Sequence, residues 1–534
     1  MHNTKASLFV KNAQIWSGTK DFSGDSLAIL NDKIIGIGKY SDISDLIDGS
    51  TNVIDAKNRR LIPGLIDSHI HSVRAGLTWN QNVDWSGVKS LQEGFGLISE
   101  KIKEKKPGEW ICVVGGWAPG QFKENRLPTI EEINNISAKN PVYIQYLYES
   151  AIFNDAAKKA LGLGPQSPDP ARGWFERTET GELSGLCKGS GAFQLCLGIA
   201  GRPDFETQVQ WTAAFMRRLN SLGISGVIDP GGFGMTPESY RPIYELWRRK
   251  EMTVRTRLYR MPLGPGLERE NITDFIKHMN PGFGDDWLKL TGCGEMVSFG
   301  FMDLEGVQPF EVTQDGIDLF EELLPQLINA GWSIHLHAVL EKTITTMLDS
   351  IEKVLKTTPA DKVRISLAHA EPITEKDLDR VQKMGIGIAI QDRMIFRAQD
   401  SANFWGEDVL RRSPPLRSML NRGIVVGGGT DATAVTPYNP WRSLWWLITG
   451  ETLDSGPSRD KNQNLTREEA LISYTKGSAW FSLDEDSRGT LEVGKLADFA
   501  VLSDDFFEVE ESEIPEIRSL MTVVNGEIVY VSEK

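Results

Sequence analysis

The sequence predicts an α/β protein. Its fold class is a (β/α)8 TIM barrel with a small β-sandwich domain built from both termini and an inserted subdomain after the first barrel strand. Three observations predict it: strand-like and helix-like segments alternate through the middle of the chain, short strand-like segments cluster at both ends, and one stretch, residues 78–200, breaks the alternation.

The leading segments "SLFVKNAQIW", "DSLAIL" and "DKIIGIGKY" alternate or run apolar, with Gly, Asp and Asn between them. The far end reads alike in "LADFAVLSDD" and "SLMTVVNGEIVYV", where Asn525-Gly526 is a hairpin signal. Two β-rich ends around a long middle imply that residues 1–60 and 485–534 meet in one small β-domain. Residues 61–484 then form the barrel.

Eight strand candidates fall in that middle: 61–71, 223–230, 253–263, 287–299, 332–339, 363–370, 385–392 and 423–433. Helical patterns such as "DGIDLFEELLPQLINAG" lie between most of them. Strand then helix, repeated, argues for a parallel sheet, and eight repeats argue for a closed barrel. Residues 78–200 are too long for one crossover and hold strands of their own, "EWICVVGGW" and "NPVYIQYLYES". They read as a subdomain over the barrel mouth.

In a barrel the reacting groups sit at the C-terminal ends of the strands. Five of the seven histidines fall there. The first strand ends in His69-Ile70-His71, the fifth in His335-Leu336-His337 and the sixth in His369, while the eighth leads to Asp431. Residues i and i+2 on a strand share a face, so His69 and His71 are expected to project together. Imidazoles and carboxylates so placed can hold one or two divalent metal ions, zinc above all, with His337 and His369 on a second ion. A water on such an ion has its pKa lowered towards ~7. Asp431 can take its proton and later give it to a leaving amine.

The group joining two ions would come from the fourth strand, "LKLTGCGEMV". Glu295, Lys289 and Cys293 share a face if that strand is regular. Glu295 is the expected bridge, and Lys289 and Cys293 are the alternatives. His335 shares parity with His337 but sits deeper, as a packing or hydrogen-bonding partner. Trp117, Tyr148, Gln391 and Arg393 are candidate substrate-binding residues. Trp117 could cap the site or pack under the insert. Arg393 could clamp a substrate carboxylate or form a structural ion pair.

"LIPGLIDSHIH", "IHLHA", "LAHAE", "GGTDAT" and the closing "GTLEVGKLADFAVL" together resemble the amidohydrolase superfamily. More narrowly they resemble its YtcJ-like branch, the amidohydrolase 3 family, which includes N-substituted formamide deformylase. The resemblance spans nearly the whole chain. It implies a mono- or binuclear metal site and hydrolysis of a carbon–nitrogen bond of amide, imide or formamide type. A deaminase or a cyclic imide or lactam hydrolase is the alternative within the superfamily, and a metal-binding pseudoenzyme the alternative outside catalysis. Two departures stand out. Relatives often carry a carboxylated lysine where Glu295 is expected, and a histidine where "YES" (148–150) stands here.

The formal net charge of −15 argues against non-specific binding to nucleic acid or anionic membranes. No apolar run approaches the ~20 residues that span a bilayer, and the N-terminal residues lack a signal-peptide core. The four cysteines show no paired spacing, which suits a reducing compartment. The expectation is a cytoplasmic hydrolase of a small molecule, working as a homodimer.

Overall fold

The computed structural model describes residues 5–20, 22–170, 173–189 and 203–533. Cys196 and His2 lie outside the described residues, as do two stretches of the insert, 171–172 and 190–202. The middle of the chain forms one eight-stranded sheet of β1 (Leu65–Asp67), β2 (Ile224–Asp229), β3 (Arg255–Arg260), β4 (Leu288–Glu295), β5 (Ser333–Ala338), β6 (Ile365–His369), β7 (Gly387–Gln391) and β8 (Val426–Gly429). The strands follow chain order across the sheet, each parallel to the next. Beyond β8 the chain returns to β1. Ser68 N–H donates to Gly428 O at 2.9 Å, and Asp431 N–H donates to His69 O at 2.7 Å. The sheet therefore curls into a nearly closed barrel.

The strands are apolar along their length because both faces are covered. The outer face packs on helices. In the helix Gln314–Asn329, Phe320, Leu323, Leu324, Leu327 and Ile328 are buried, which is helical spacing on one face. Thr313 caps its start by accepting from Gly316 N–H. The helix Glu375–Met384 stops at Gly385, whose φ of +67° is the left-handed C-cap that lets the chain turn into β7. The barrel floor is plugged by Ile228, Tyr259, Ala389 and Phe481, and the Tyr259 hydroxyl donates to Phe481 O at 3.0 Å.

Residues from the two ends form two further sheets. One has four strands in the order Lys33–Gly38, Ser26–Leu30, Leu8–Lys11, Asn52–Asp55, and the other has five in the order Gln14–Ile15, Arg60–Pro63, Phe499–Leu502, Ser519–Val524, Glu527–Val531. Pro63 lies opposite Phe499 in antiparallel register, which joins the N-terminal part of the chain to the C-terminal part. Leu8, Val10, Ile29, Leu61, Phe499 and Val523 fill the space between the sheets. Asn525 and Gly526 have φ of 60° and 74°, the conformation of a two-residue hairpin loop.

Between β1 and β2 a separate five-stranded sheet forms, ordered Trp174–Arg177, Leu183–Lys188, Ser150–Phe153, Val142–Tyr146, Ile111–Val113. Cys112, Cys187 and Cys293 are buried free thiols. No helix among the described residues is long and apolar enough to cross a membrane.

Two local expectations differ from the structure. β1 ends at Asp67 rather than running to His71. The Asp67 carboxylate accepts from His69 N–H at 3.0 Å and from Thr430 N–H and Oγ1 at 3.1 and 2.7 Å, which diverts the chain from the ladder. β4 is also irregular. Leu290 pairs with Leu258 but Gly292 pairs with Tyr259, so Thr291 is an extra residue. This bulge breaks the shared parity of Lys289 with Cys293 and Glu295.

Candidate metal centre

The site lies at the C-terminal mouth of the barrel, and its side chains come from the ends of β1, β4, β5, β6 and β8. Three groups of donor atoms, each within 4.8 Å of one another, form there: His69, His71 and Glu295; His69, His369 and Asp431; and Glu295, His337 and His369. All six residues are buried. Glu295 lies at the centre. Its Oε1 is 2.7 Å from His337 Nδ1, 3.4 Å from His369 Nε2 and 3.8 Å from His69 Nε2, and its Oε2 is 3.8 Å from His71 Nε2. Asp431 Oδ1 is 3.1 Å from His71 Nε2 and 3.5 Å from His69 Nε2.

The rings of His69, His71 and His337 are held from behind, so that one nitrogen of each faces the centre. His71 Nδ1 lies 2.6 Å from Gly231 O, which fixes that nitrogen as the protonated one. His69 Nδ1 lies 2.8 Å from His335 Nε2, and His335 Nδ1 lies 2.7 Å from Ser366 Oγ. His337 Nε2 points away from Glu295, at 3.0 Å from Leu304 O and 3.1 Å from Asp303 Oδ1. Asp303 is itself oriented by accepting from Val339 and Leu340 N–H. His369 N–H donates to the Gln391 side-chain oxygen at 2.9 Å. Asp229 accepts from Ser72 Oγ, Val73 N–H and Gly231 N–H, anchoring the segment that carries His71. Partners that set tautomer and ring angle are the usual support of ligating imidazoles.

The backbone is strained at two of these residues. His369 has φ +71° and Asp431 φ +55°, left-handed values that cost a non-glycine residue about 1–3 kcal/mol. The surrounding hydrogen bonds hold them there.

Electrostatics favour a cation at the centre. Burial opposes charge on Glu295, but hydrogen bonds from His337 and His369 outweigh it and hold its carboxyl well below the usual range. Asp431 behaves alike. Burial raises it, and its contacts with His69 and His71 more than reverse that. Burial also opposes charge on His337, yet Asp303 and Glu295 raise it well above an ordinary imidazole. Two anionic carboxylates buried together need positive charge beside them. Protons on His69 and His337, favoured by the carboxylates beside them against the opposing effect of burial, supply it, and a divalent ion would replace those protons. His69 Nε2 is buried and makes no hydrogen bond. The donor set of imidazole nitrogens and carboxylate oxygens therefore fits a late first-row divalent metal.

The candidates from sequence are distributed as follows. His69, His71, Glu295, His337, His369 and Asp431 come together. Lys289 does not join them. It sits near the opposite end of β4, with Nζ 3.7 Å from Asp484 Oδ1. Cys293 lies in the main apolar cluster with Ile334 and Leu336, and burial pushes its thiol up to about 12. Tyr148 and Arg393 line the small cavity at the centre, about 20 Å³, with Phe233, Leu304 and Glu305. The Arg393 fork is occupied, with Nε and Nη2 on Glu371 at 2.5 and 3.1 Å and Nη1 on Glu305 Oε2 at 3.2 Å. Gln391 positions His369 from behind. Trp117 is buried in the insert between Trp85 and Phe122. Asp303, Glu305 and Glu371 escaped the sequence reading. The acid after "AHA" was visible in "LAHAE", but the loop acids carried no periodic signal.

A barrel of this topology, with donors converging from five strand ends, defines a TIM-barrel protein with a candidate metal centre at its mouth. The model of the amidohydrolase family matches residues 52–530, and the chain belongs to that family. It is similar to the protein LONG AFTER FAR-RED 3 of Arabidopsis thaliana, at 26% identity over 98% of this chain and 92% of that one. It is similar at 24% identity to the N-substituted formamide deformylase of Arthrobacter pascens, over 98% of both chains. The putative amidohydrolase YtcJ of Bacillus subtilis is also 24% identical, over 93% of this chain and 94% of that one. Among solved structures, an uncharacterized metal-dependent hydrolase from Pyrococcus horikoshii superposes with a TM-score of 0.70 at 21% identity, over 95% of this chain and 99% of that one. The zinc complex of atrazine chlorohydrolase TrzN from Arthrobacter aurescens superposes with a TM-score of 0.54 at 18% identity, over 99% and 96%. At these identities the solved structures establish a shared fold.

Proposed function

We propose that this amidohydrolase cleaves a carbon–nitrogen bond of amide, formamide or N-acyl type in a small molecule, with a divalent metal held by its histidines. The observation that carries the reading is the convergence of His69, His71, His337, His369, Glu295 and Asp431 on one buried centre. His69 and His71 would hold one ion, His337 and His369 a second, with Glu295 between them. The donor chemistry suits zinc, the ion named for the TrzN structure. When bound, the metal supplies Lewis acidity toward the substrate carbonyl and acidifies water.

Asp431 is the proton carrier in this reading. Its carboxylate, kept ionised by His69 and His71, accepts a proton from the attacking water. The water oxygen bonds to the carbonyl carbon, the carbon–nitrogen bond breaks, and Asp431 returns the proton to the departing nitrogen. The buried walls restrict bulk water, which strengthens each of these interactions.

The test is Asp431→Asn assayed on a panel of formamides, N-acyl amines, imides and lactams. Turnover is expected to fall about 10²–10⁴-fold while elemental analysis finds metal content close to that of the parent. Normal turnover by the variant overturns the role of Asp431. A metal-loaded parent that cleaves no member of the panel overturns the bond class.

A further inference from the structure

The centre has room for little more than one water-sized group, since about 10–15 Å³ admits one water and the cavity measures about 20 Å³. A second cavity of about 630 Å³ adjoins it, and the two share Tyr148, Leu304 and Glu305 in their walls. That larger volume is in the range that takes a drug-sized organic molecule. It lies between the sheet of the insert and the loop 302–310 that follows β4. The bulk of a substrate can lie in this chamber while its reacting bond reaches the centre.

The walls identify what the chamber takes. They are largely apolar, and Tyr146, Tyr148, Trp174 and Phe310 bring four aromatic rings to them. Trp174 stands on the outer strand of the insert sheet with 52% of its surface exposed. The charged groups in the walls are already matched. Glu149 pairs with buried Arg397, Glu305 with Arg393, and Asp303 with His337. Lys188 faces Glu176 at 3.8 Å. Among the described residues of the walls a charged guest would find no unmatched partner and would lose hydration on entry, whereas a flat neutral guest gains ring contacts worth about 0.5–1.5 kcal/mol beyond its buried area.

We propose that this chamber is the subsite for a neutral aromatic substituent of the substrate and that Trp174 is its specificity-determining wall. The inference rests on the proposed cleavage of a carbon–nitrogen bond for its kinetic arm, and its binding arm does not need that reading. The binding arm measures 2-naphthalenemethanol on the full-length protein by calorimetry, with 2-naphthoate and 2-naphthylmethylamine as charged comparators. The neutral probe is expected to bind at least 10-fold tighter than either charged one. Trp174→Ala and the chamber-filling Val307→Trp are each expected to weaken it at least 10-fold. The kinetic arm compares N-methylformamide with N-(2-naphthylmethyl)formamide. The aromatic substrate is expected to have the higher kcat/KM, and Trp174→Ala to shrink the ratio at least 10-fold.

Equal binding of neutral and charged probes, or binding untouched by both substitutions, overturns the chamber assignment. So does tighter binding of 2-naphthoate than of the neutral probe, which would make Lys188 an anion receptor. Selective binding of the neutral probe without cleavage of either formamide leaves the chamber standing and counts against formamide cleavage alone.

Discussion

His335 Nε2 lies 2.8 Å behind His69 Nδ1, and His335 in turn rests on Ser366 Oγ at 2.7 Å. Ser366 Oγ is 3.3 Å from Ile334 O, to which it can donate. The assignment that satisfies every donor runs in one direction. Ser366 donates to the carbonyl, His335 Nδ1–H donates to Ser366, and His69 Nδ1–H donates to His335. Burial holds His335 well below the ordinary imidazole range, which keeps it neutral and able to accept. The lone pair on His69 Nε2 is thereby aimed at the centre.

Replacing His335 by Leu nearly keeps the volume and removes the acceptor. Metal affinity is expected to fall about 10–100-fold, the usual effect of losing the partner of a ligating histidine. Competition against a chelator of known affinity measures it. An unchanged dissociation constant would show that His69 needs no such support.

Among the described residues Glu295 is the carboxylate that approaches all four histidines at the centre, so Glu295→Gln is expected to cost at least half of the bound metal by elemental analysis. Lys289→Ala and Cys293→Ser should leave the metal content as it was, because neither side chain lies at the centre. Loss of metal on removing Lys289 would move the bridge to that residue.

Arg393 and Glu371 form a pair that is almost wholly buried, with side chains 2% and 0% exposed. Arg393→Met leaves Glu371 uncompensated and is expected to destabilise the protein by about 3–5 kcal/mol. Arg393→Met combined with Glu371→Leu should recover much of that in urea unfolding. If the single variant instead keeps full stability and loses only substrates bearing a carboxylate, the arginine is a substrate clamp.

Gly429 is pressed against His69. A Cβ there would stand 2.8 Å from His69 N and 3.1 Å from Asp67 Oδ1. Gly429→Ala forces β8 away from β1 and is expected to cost about 1–3 kcal/mol, with weaker metal binding alongside. A melting temperature and a metal titration both equal to the parent's would refute the close fit.

Much of the architecture was legible because its signals are periodic. Each of the eight barrel strands falls within a segment marked out by apolar runs between helical spacings, and Asn525-Gly526 closes the hairpin its dipeptide foretold. The shared orientation of His69 and His71 was anticipated for a reason that does not hold. Both lie beyond the end of β1, and their direction comes from Asp67, Gly231 and the backbone bonds to the segment after β8. Parity likewise grouped Lys289 with Glu295 because a one-residue bulge at Thr291 leaves no mark in composition.

By itself the sequence determined which residues can ligate and at which strand ends they stand, since strand periodicity and ligand chemistry are local properties. The tertiary structure alone decided how those residues are used. It turned Glu295 rather than Cys293 into the centre, placed His335 behind His69, closed the fork of Arg393 on Glu371, and set the aromatic chamber of the insert beside the mouth. Those outcomes depend on contacts between residues tens to hundreds of positions apart, and such contacts exist only once the barrel has brought its strand ends together.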